Sequence, residues 1–179
     1  LPFAFLEALP GAGVKLHAAD FYMRQVSHIA GGCVPAVPAI HCPAGEGGFA
    51  AIHPFSGSPK KNWPLPRFRQ LAAILEQFMP VRWILDHGQF VEGAQADPPV
   101  DDLYELACKL AQARVYVGND SGVTHLAAAS GARVVALFGP SDASIWGPRG
   151  RDVRILQAGD SMDLLTVEEV ARAVLGAVT

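Results

Sequence analysis

From residue 49 onward the chain alternates short apolar runs with amphipathic segments, and this alternation constrains the fold more than any other feature of its 179 residues. The apolar runs FAAIH (49–53), VRWIL (81–85), RVYVG (114–118), ARVVALFG (132–139) and VRIL (153–156) are short, and most are bounded by turn residues, as buried strands require. Between and after them, 65–78, 101–113, 122–130 and 166–178 read as helices; in the first, Phe68, Leu71, Ala72 and Leu75 fall on one face. Asp101 and Asp102 open the second helix, Gly131 closes the third, and Thr166 with Glu169 has the spacing of a capping box on the last. Strands alternating with helices predict βαβ units. The fold class is therefore α/β, a Rossmann-like parallel sheet with helices on both faces.

The first part of the chain reads differently. Phe21, Tyr22, Val26 and Ile29 recur at helical spacing within 18–29, Gly31-Gly32 supplies a stop, and CVPAVPAIHCPAGEGG (33–48) reads as a linker. The chain begins with Leu1, which leads us to expect either processing or a part of something longer. If a companion half is absent, Phe3, Phe5 and Leu6 are expected to be exposed and to favour pairing of chains.

Composition narrows the function classes. Fourteen basic and 17 acidic residues give a net charge of −3 with no block of like charge, which excludes the electrostatic footprint of a nucleic-acid binder. Any anion bound here is expected to be small and locally gripped. Cys33, Cys42 and Cys108 are irregularly spaced and fit neither a disulfide framework nor a paired zinc site, and His41-Cys42 lacks the ligands to complete one; we expect reduced thiols and no metal. No apolar run reaches the roughly 20 residues that span a bilayer, and no signal segment opens the sequence. A soluble, cytoplasmic chain is expected.

In parallel sheets, ligands sit outside the carboxyl ends of the strands. Three such junctions carry unusual residues. In HPFSGSPKKNWP (53–64), Gly57 permits close backbone approach, Ser56 and Ser58 offer hydroxyls and amides, and Lys60 and Lys61 supply charge. This suits an anion, although the Walker spacing is absent and a solvated loop with capping serines has the same composition. In GNDSGVTHLAAASG (118–131), Asp120, Ser121 and Gly122 precede a helix whose free amides favour a phosphate, and His125 lies in its first turn. Capping alone accounts for Asp120 or Ser121, but not for the histidine. FGPSD (138–142) reads as a tight turn capped by Ser141 or Asp142. The first two junctions, facing one another across one sheet edge, suit a diphosphate.

The same segments, followed by WGPRG (146–150) and MDLLTVEEVARAV (162–174), resemble in order and interval the C-terminal half of glycosyltransferase family 9, the lipopolysaccharide heptosyltransferases. The resemblance spans about residues 45–179 and is most specific at D-S-G-x-x-H and K-x-W-P. It implies one half of a GT-B enzyme, with 45–179 as the nucleotide-sugar donor domain and 1–44 as a remnant of the acceptor-side domain and its hinge. The implied donor is a nucleotide-diphosphate sugar, commonly ADP-heptose, used as substrate without a separate cofactor or metal. Ser56, Gly57, Ser58 and Lys61 are implied on the diphosphate, and Asp120, Ser121, Gly122 and His125 around the phosphates and sugar. Glu92 is implied at the nucleoside, although LDHGQFVEG departs there from the family's glycine-led acidic loop.

The family inverts the anomeric centre with a carboxylate base from its N-terminal domain, so no catalytic residue is expected in this chain. The implied acceptor is a glycolipid or saccharide, and the full enzyme is expected at the inner face of the membrane. A non-catalytic nucleotide- or sugar-binding module that kept the donor fold fits the same features. A dinucleotide oxidoreductase does not, since no G-x-G-x-x-G follows a strand and Gly11-Ala12-Gly13 opens no βαβ unit.

Overall fold

A computed structural model of the chain describes residues 7, 15–32, 37–43, 45 and 47–178. Phe3, Phe5, Leu6, the 11–13 glycine stretch and Cys33 lie outside the described residues. Five strands, β1 (Ala50–His53), β2 (Val81–Trp83), β3 (Val115–Asn119), β4 (Val134–Phe138) and β5 (Val153–Gln157), form one parallel sheet in the order β2-β1-β3-β4-β5. Every residue of β1, β3 and β4 is buried, which is why these runs are almost wholly apolar.

Alternation of side chains divides the core into two layers. Ile52, Val117, Val135 and Leu137 pack under α2 (Leu65–Leu75) and α6 (Val167–Val178) through Phe68, Leu71, Val170 and Val174. Ala51, Tyr116, Ala136 and Phe138 pack under α3 (Leu103–Ala111) and α4 (Gly122–Ala129) through Leu106, Leu110, Ala127 and Ala128. The small side chains of LAAAS let α4 lie close on the sheet. This is the Rossmann-like architecture that the sequence predicts.

The helix termini follow their local chemistry. Asp102 caps α3 by accepting the Tyr104 and Glu105 amides, each at 2.8 Å. Glu169 accepts the Thr166 amide at 2.9 Å while Thr166 Oγ1 accepts the Glu169 amide at 3.2 Å, a closed capping box at the head of α6. Two boundaries are shorter than the pattern suggests: α2 ends at Leu75, in a turn leading to Pro80, and β2 stops at Trp83. The four-residue helix α5 (Ala143–Trp146) and the 3-10 turns at Pro59–Lys61 and Met162–Leu164 are too short to leave a periodic signal.

The helix α1 (Ala18–Ala30) ends at Gly31, whose φ of 66° is the left-handed cap that favours glycine. It docks beside α5: both terminal guanidinium nitrogens of Arg149 donate to the Asp20 carboxylate, and His17 Nε2 donates to the Gly147 carbonyl at 2.9 Å. No helix among the described residues is long and apolar enough to cross a membrane.

Candidate functional site

The chain passes from β1 out to β2 and returns to place β3 on the other side of β1, so connections leave the two neighbouring strands toward opposite faces. A crevice opens at such a switch point. Its two walls are the loop after β1 and the β3–α4 junction.

The β1 loop is positioned from behind by Trp63. Its indole is 1% exposed, packs edge-to-face on Phe68 at 4.9 Å, and donates from Nε1 to the Leu165 carbonyl at 3.0 Å. In the K-x-W-P motif the tryptophan is therefore the anchor, and the lysine two residues earlier is what the anchor presents. Within the loop, Ser56 Oγ lies 2.7 Å from Asn62 Oδ1 and accepts the Ser58 amide at 3.3 Å, holding the turn around exposed Gly57.

The β3–α4 junction is more tightly bonded. Ser121 caps α4 by accepting the Thr124 amide, and Thr124 Oγ1 donates to the Asn119 carbonyl at 2.5 Å and lies 2.9 Å from the Tyr116 hydroxyl. Burial pushes the Tyr116 phenol far above its usual range, so it stays protonated. Asn119, fully buried, ties the walls together: Nδ2 donates to the Pro54 carbonyl at 2.6 Å and Oδ1 accepts the Trp63 amide at 2.9 Å. Sequence reading assigned Asn119 no role, because both partners lie more than fifty residues away.

Lys61 and Asp120 meet across the crevice. Lys61 Nζ donates to Asp120 Oδ2 at 2.7 Å; the lysine side chain is 37% exposed and the aspartate 8%. They border a cavity of about 360 Å³ shared with His125, Pro140, Ser141, Asp142 and Trp146. Desolvation lowers the pKa of His125 from its ordinary value, opposed by the charge of Asp120 and aided by those of His17 and Lys61. The FGPSD turn thus has two roles: Asp142 caps α5 through the Ser144 amide at 2.8 Å, as its sequence suggests, and the turn also walls the cavity.

Of the residues selected from sequence, Lys61, Asp120 and His125 line this cavity, Ser56, Gly57 and Ser58 lie in the loop that carries Lys61, and Ser121 and Gly122 form the start of α4. A Cβ at Gly57 or Gly122 would meet nothing within 4 Å, so both backbones face open space and are approachable. Glu92 stands apart. It lines a separate cavity of about 130 Å³ with Arg69, Glu76 and Trp83, and its carbonyl accepts from Arg69 at 2.9 Å.

Residues 99–172, which contain the D-S-G-x-x-H junction and the FGPSD turn, match the model of glycosyltransferase family 9 (heptosyltransferase). No curated protein matches the sequence significantly. Among solved structures, the chain is similar to the E. coli heptosyltransferase WaaC with ADP, at TM-score 0.76 and 19% identity over 94% of this chain and 59% of that one. It is also similar to a family 9 glycosyl transferase from Veillonella parvula DSM 2008, at TM-score 0.74 and 20% identity over 91% and 60%. A third is the E. coli ADP-heptose lps heptosyltransferase II, at TM-score 0.63 and 20% identity over 99% and 55%. The chain spans less than two thirds of the length of each. At these identities the likeness concerns the fold.

Proposed function

We propose that residues 45–179 form the donor-binding domain of a heptosyltransferase-like enzyme, and that the crevice between β1 and β3 holds the diphosphate of a nucleotide-diphosphate sugar, ADP-heptose in the first instance. The observation that carries this reading is the Lys61–Asp120 pair, which sets a partly exposed cation beside the amides that open α4, at the sheet's switch point. The first amides of a helix have no intrahelical acceptor and carry partial positive charge, so a phosphate is favoured there. A donor diphosphate draws Lys61 Nζ away from Asp120; the aspartate, released, accepts a hydroxyl of the sugar. WaaC, with the same fold, is described with ADP, which supports the choice of adenine.

The chemistry asked of this chain is leaving-group stabilisation. As the acceptor hydroxyl forms its bond to the anomeric carbon, the bond from that carbon to the diphosphate oxygen breaks, and Lys61 with the α4 amides takes up the departing charge without a metal. The acceptor proton goes to a base. Two carboxylates line the cavity, and neither suits that role: Asp120, once released by Lys61, is taken up by a hydroxyl of the donor sugar, and hydrogen bonds from Ser144 hold Asp142 below the usual carboxylate range. We therefore assign the base, the glycolipid or saccharide acceptor pocket and any contact with the inner face of the membrane to an acceptor-side domain, of which 1–44 would be the hinge end. Glu92 retains a place in this proposal only as a contact to the nucleoside, reached by movement of its loop.

Calorimetric titration with ADP, UDP and GDP, beside Lys61→Ala, tests the reading. Selective ADP binding that weakens in the variant is expected; equal affinity for all three, or no change in Lys61→Ala, would remove the donor site from this crevice.

A further inference from the structure

Cys42 and Cys108 are far apart in sequence, yet the fold brings them together. The Cys42 side chain neighbours that of Cys108 on α3. Tyr104, one turn earlier on the same helix, also neighbours Cys108 and donates from its hydroxyl to the His41 carbonyl at 3.1 Å. On the other side of this contact the Ile40 amide donates to the Ala129 carbonyl at 2.7 Å. The stretch 37–43, between α1 and the sheet, is thus laid against α3 and the end of α4 with its thiol facing a second thiol. Both cysteines are half-buried, which leaves them within reach of a small reagent.

We propose that Cys42 and Cys108 are a dithiol modification site that a low-molecular-weight disulfide converts to a cross-link, clipping the stretch 37–43 to α3. One thiolate attacks the small disulfide, expels a small thiol and leaves a mixed disulfide on the protein. The second thiolate attacks that protein sulfur and expels the other small thiol. The protein loses two electrons and two protons; the small disulfide is reduced and the protons end on the two released thiols. Burial and the neighbouring thiol raise the Cys42 pKa, which keeps the reactive thiolate scarce at neutral pH and makes the pair a slow clip. The inference stands whether or not the crevice binds a nucleotide.

The test is incubation of the full chain with oxidised glutathione, followed by alkylation of remaining thiols, digestion and mass spectrometry. A peptide joining Cys42 to Cys108, about 2 Da lighter than the sum of its parts, is expected in the wild type and in Cys33→Ser, and is expected to vanish in Cys42→Ser and Cys108→Ser. Closing so long a loop should raise the Tm by about 5 to 10 °C over the reduced protein. Cross-links to Cys33 in place of this pair, thiols that stay fully alkylatable, or a cross-link that lowers the Tm would overturn the proposal.

Discussion

The two walls of the crevice are built on different terms. On the β3–α4 side, Asn119, Asp120 and Thr124 are buried, and the Thr124 hydroxyl touches the Asn119 carbonyl, the Tyr116 phenol and Ser121. On the β1 side, residues 55–61 are half-buried or exposed, and their fixed points lie at the back of the loop, at Asn62 and Trp63. A site that stabilises developing negative charge gains most from dipoles that need no reorganisation, which is what the α4 terminus provides. A long side chain on a looser loop has the opposite quality: on the proposed reading Lys61, which lies 2.7 Å from Asp120, would exchange that partner for a phosphate.

The comparison breaks most severely at Asn119, the residue the two walls share. Asn119→Ala leaves the buried Trp63 amide and Pro54 carbonyl without their partner, and a stability loss of about 2 to 4 kcal/mol is expected in equilibrium urea unfolding. A loss under about 1 kcal/mol would mean that the walls are not coupled through this side chain. Lys61→Ala should behave in the reverse way. Its ion pair is partly exposed, so folding is expected to change by less than about 1 kcal/mol, whereas removal of a charge-assisted contact should weaken ADP by roughly 10- to 100-fold.

Gly122→Ala sharpens the same contrast. Gly122 does not have a positive φ and an added Cβ meets no atom, so the fold should be unaffected or slightly stabilised, because alanine is the better helix former. The methyl would stand at the mouth of the α4 amides, however, and ADP affinity is expected to fall several-fold at unchanged Tm. An unaltered affinity would show that the ligand does not approach this backbone.

These outcomes bear on what could be read from the sequence. The sheet was legible because burial on both faces leaves continuous apolar runs, and α2 because Phe68, Leu71, Ala72 and Leu75 repeat at the helical period; all four are buried. Lys61, Asp120 and His125 were legible as a group because each follows a strand end, where the topology of a parallel sheet gathers side chains. What escaped was long-range pairing. Asn119 looks like any polar residue in a turn, the role of Trp63 as a buried post is visible only once Leu165 and Phe68 surround it, and Trp146 sits in a helix of one turn. Glu92 was placed by analogy with a loop that differs in this chain, and the fold sets it in a different cavity. The proximity of Cys42 to Cys108 is likewise set by packing and not by spacing.

The smallest expected effect is a pH dependence that separates the buried scaffold from its exposed caps. His53, 2% exposed at the end of β1, lies 2.8 Å from the Ile84 carbonyl through Nδ1, and burial lowers its pKa; His125 is lowered too. A histidine whose folded pKa is depressed is protonated more readily in the unfolded chain, so its contribution is full above about pH 6.5 and is lost as pH falls toward the folded value. The lowered carboxylates Asp20, Asp142 and Glu169 have the same sign in a lower window, below about pH 4. Urea midpoints are therefore expected to be level from pH 8 to 7, to decline from about pH 6.5 to 5, and to decline again below about pH 4. In His53→Asn, whose amide can replace the Nδ1 donor to Ile84, the first decline should shrink to the part due to His125, while the second stays. A midpoint that rose between pH 7 and 5 would reverse the sign assigned to both histidines and place their stabilising partners, not their desolvation, in control.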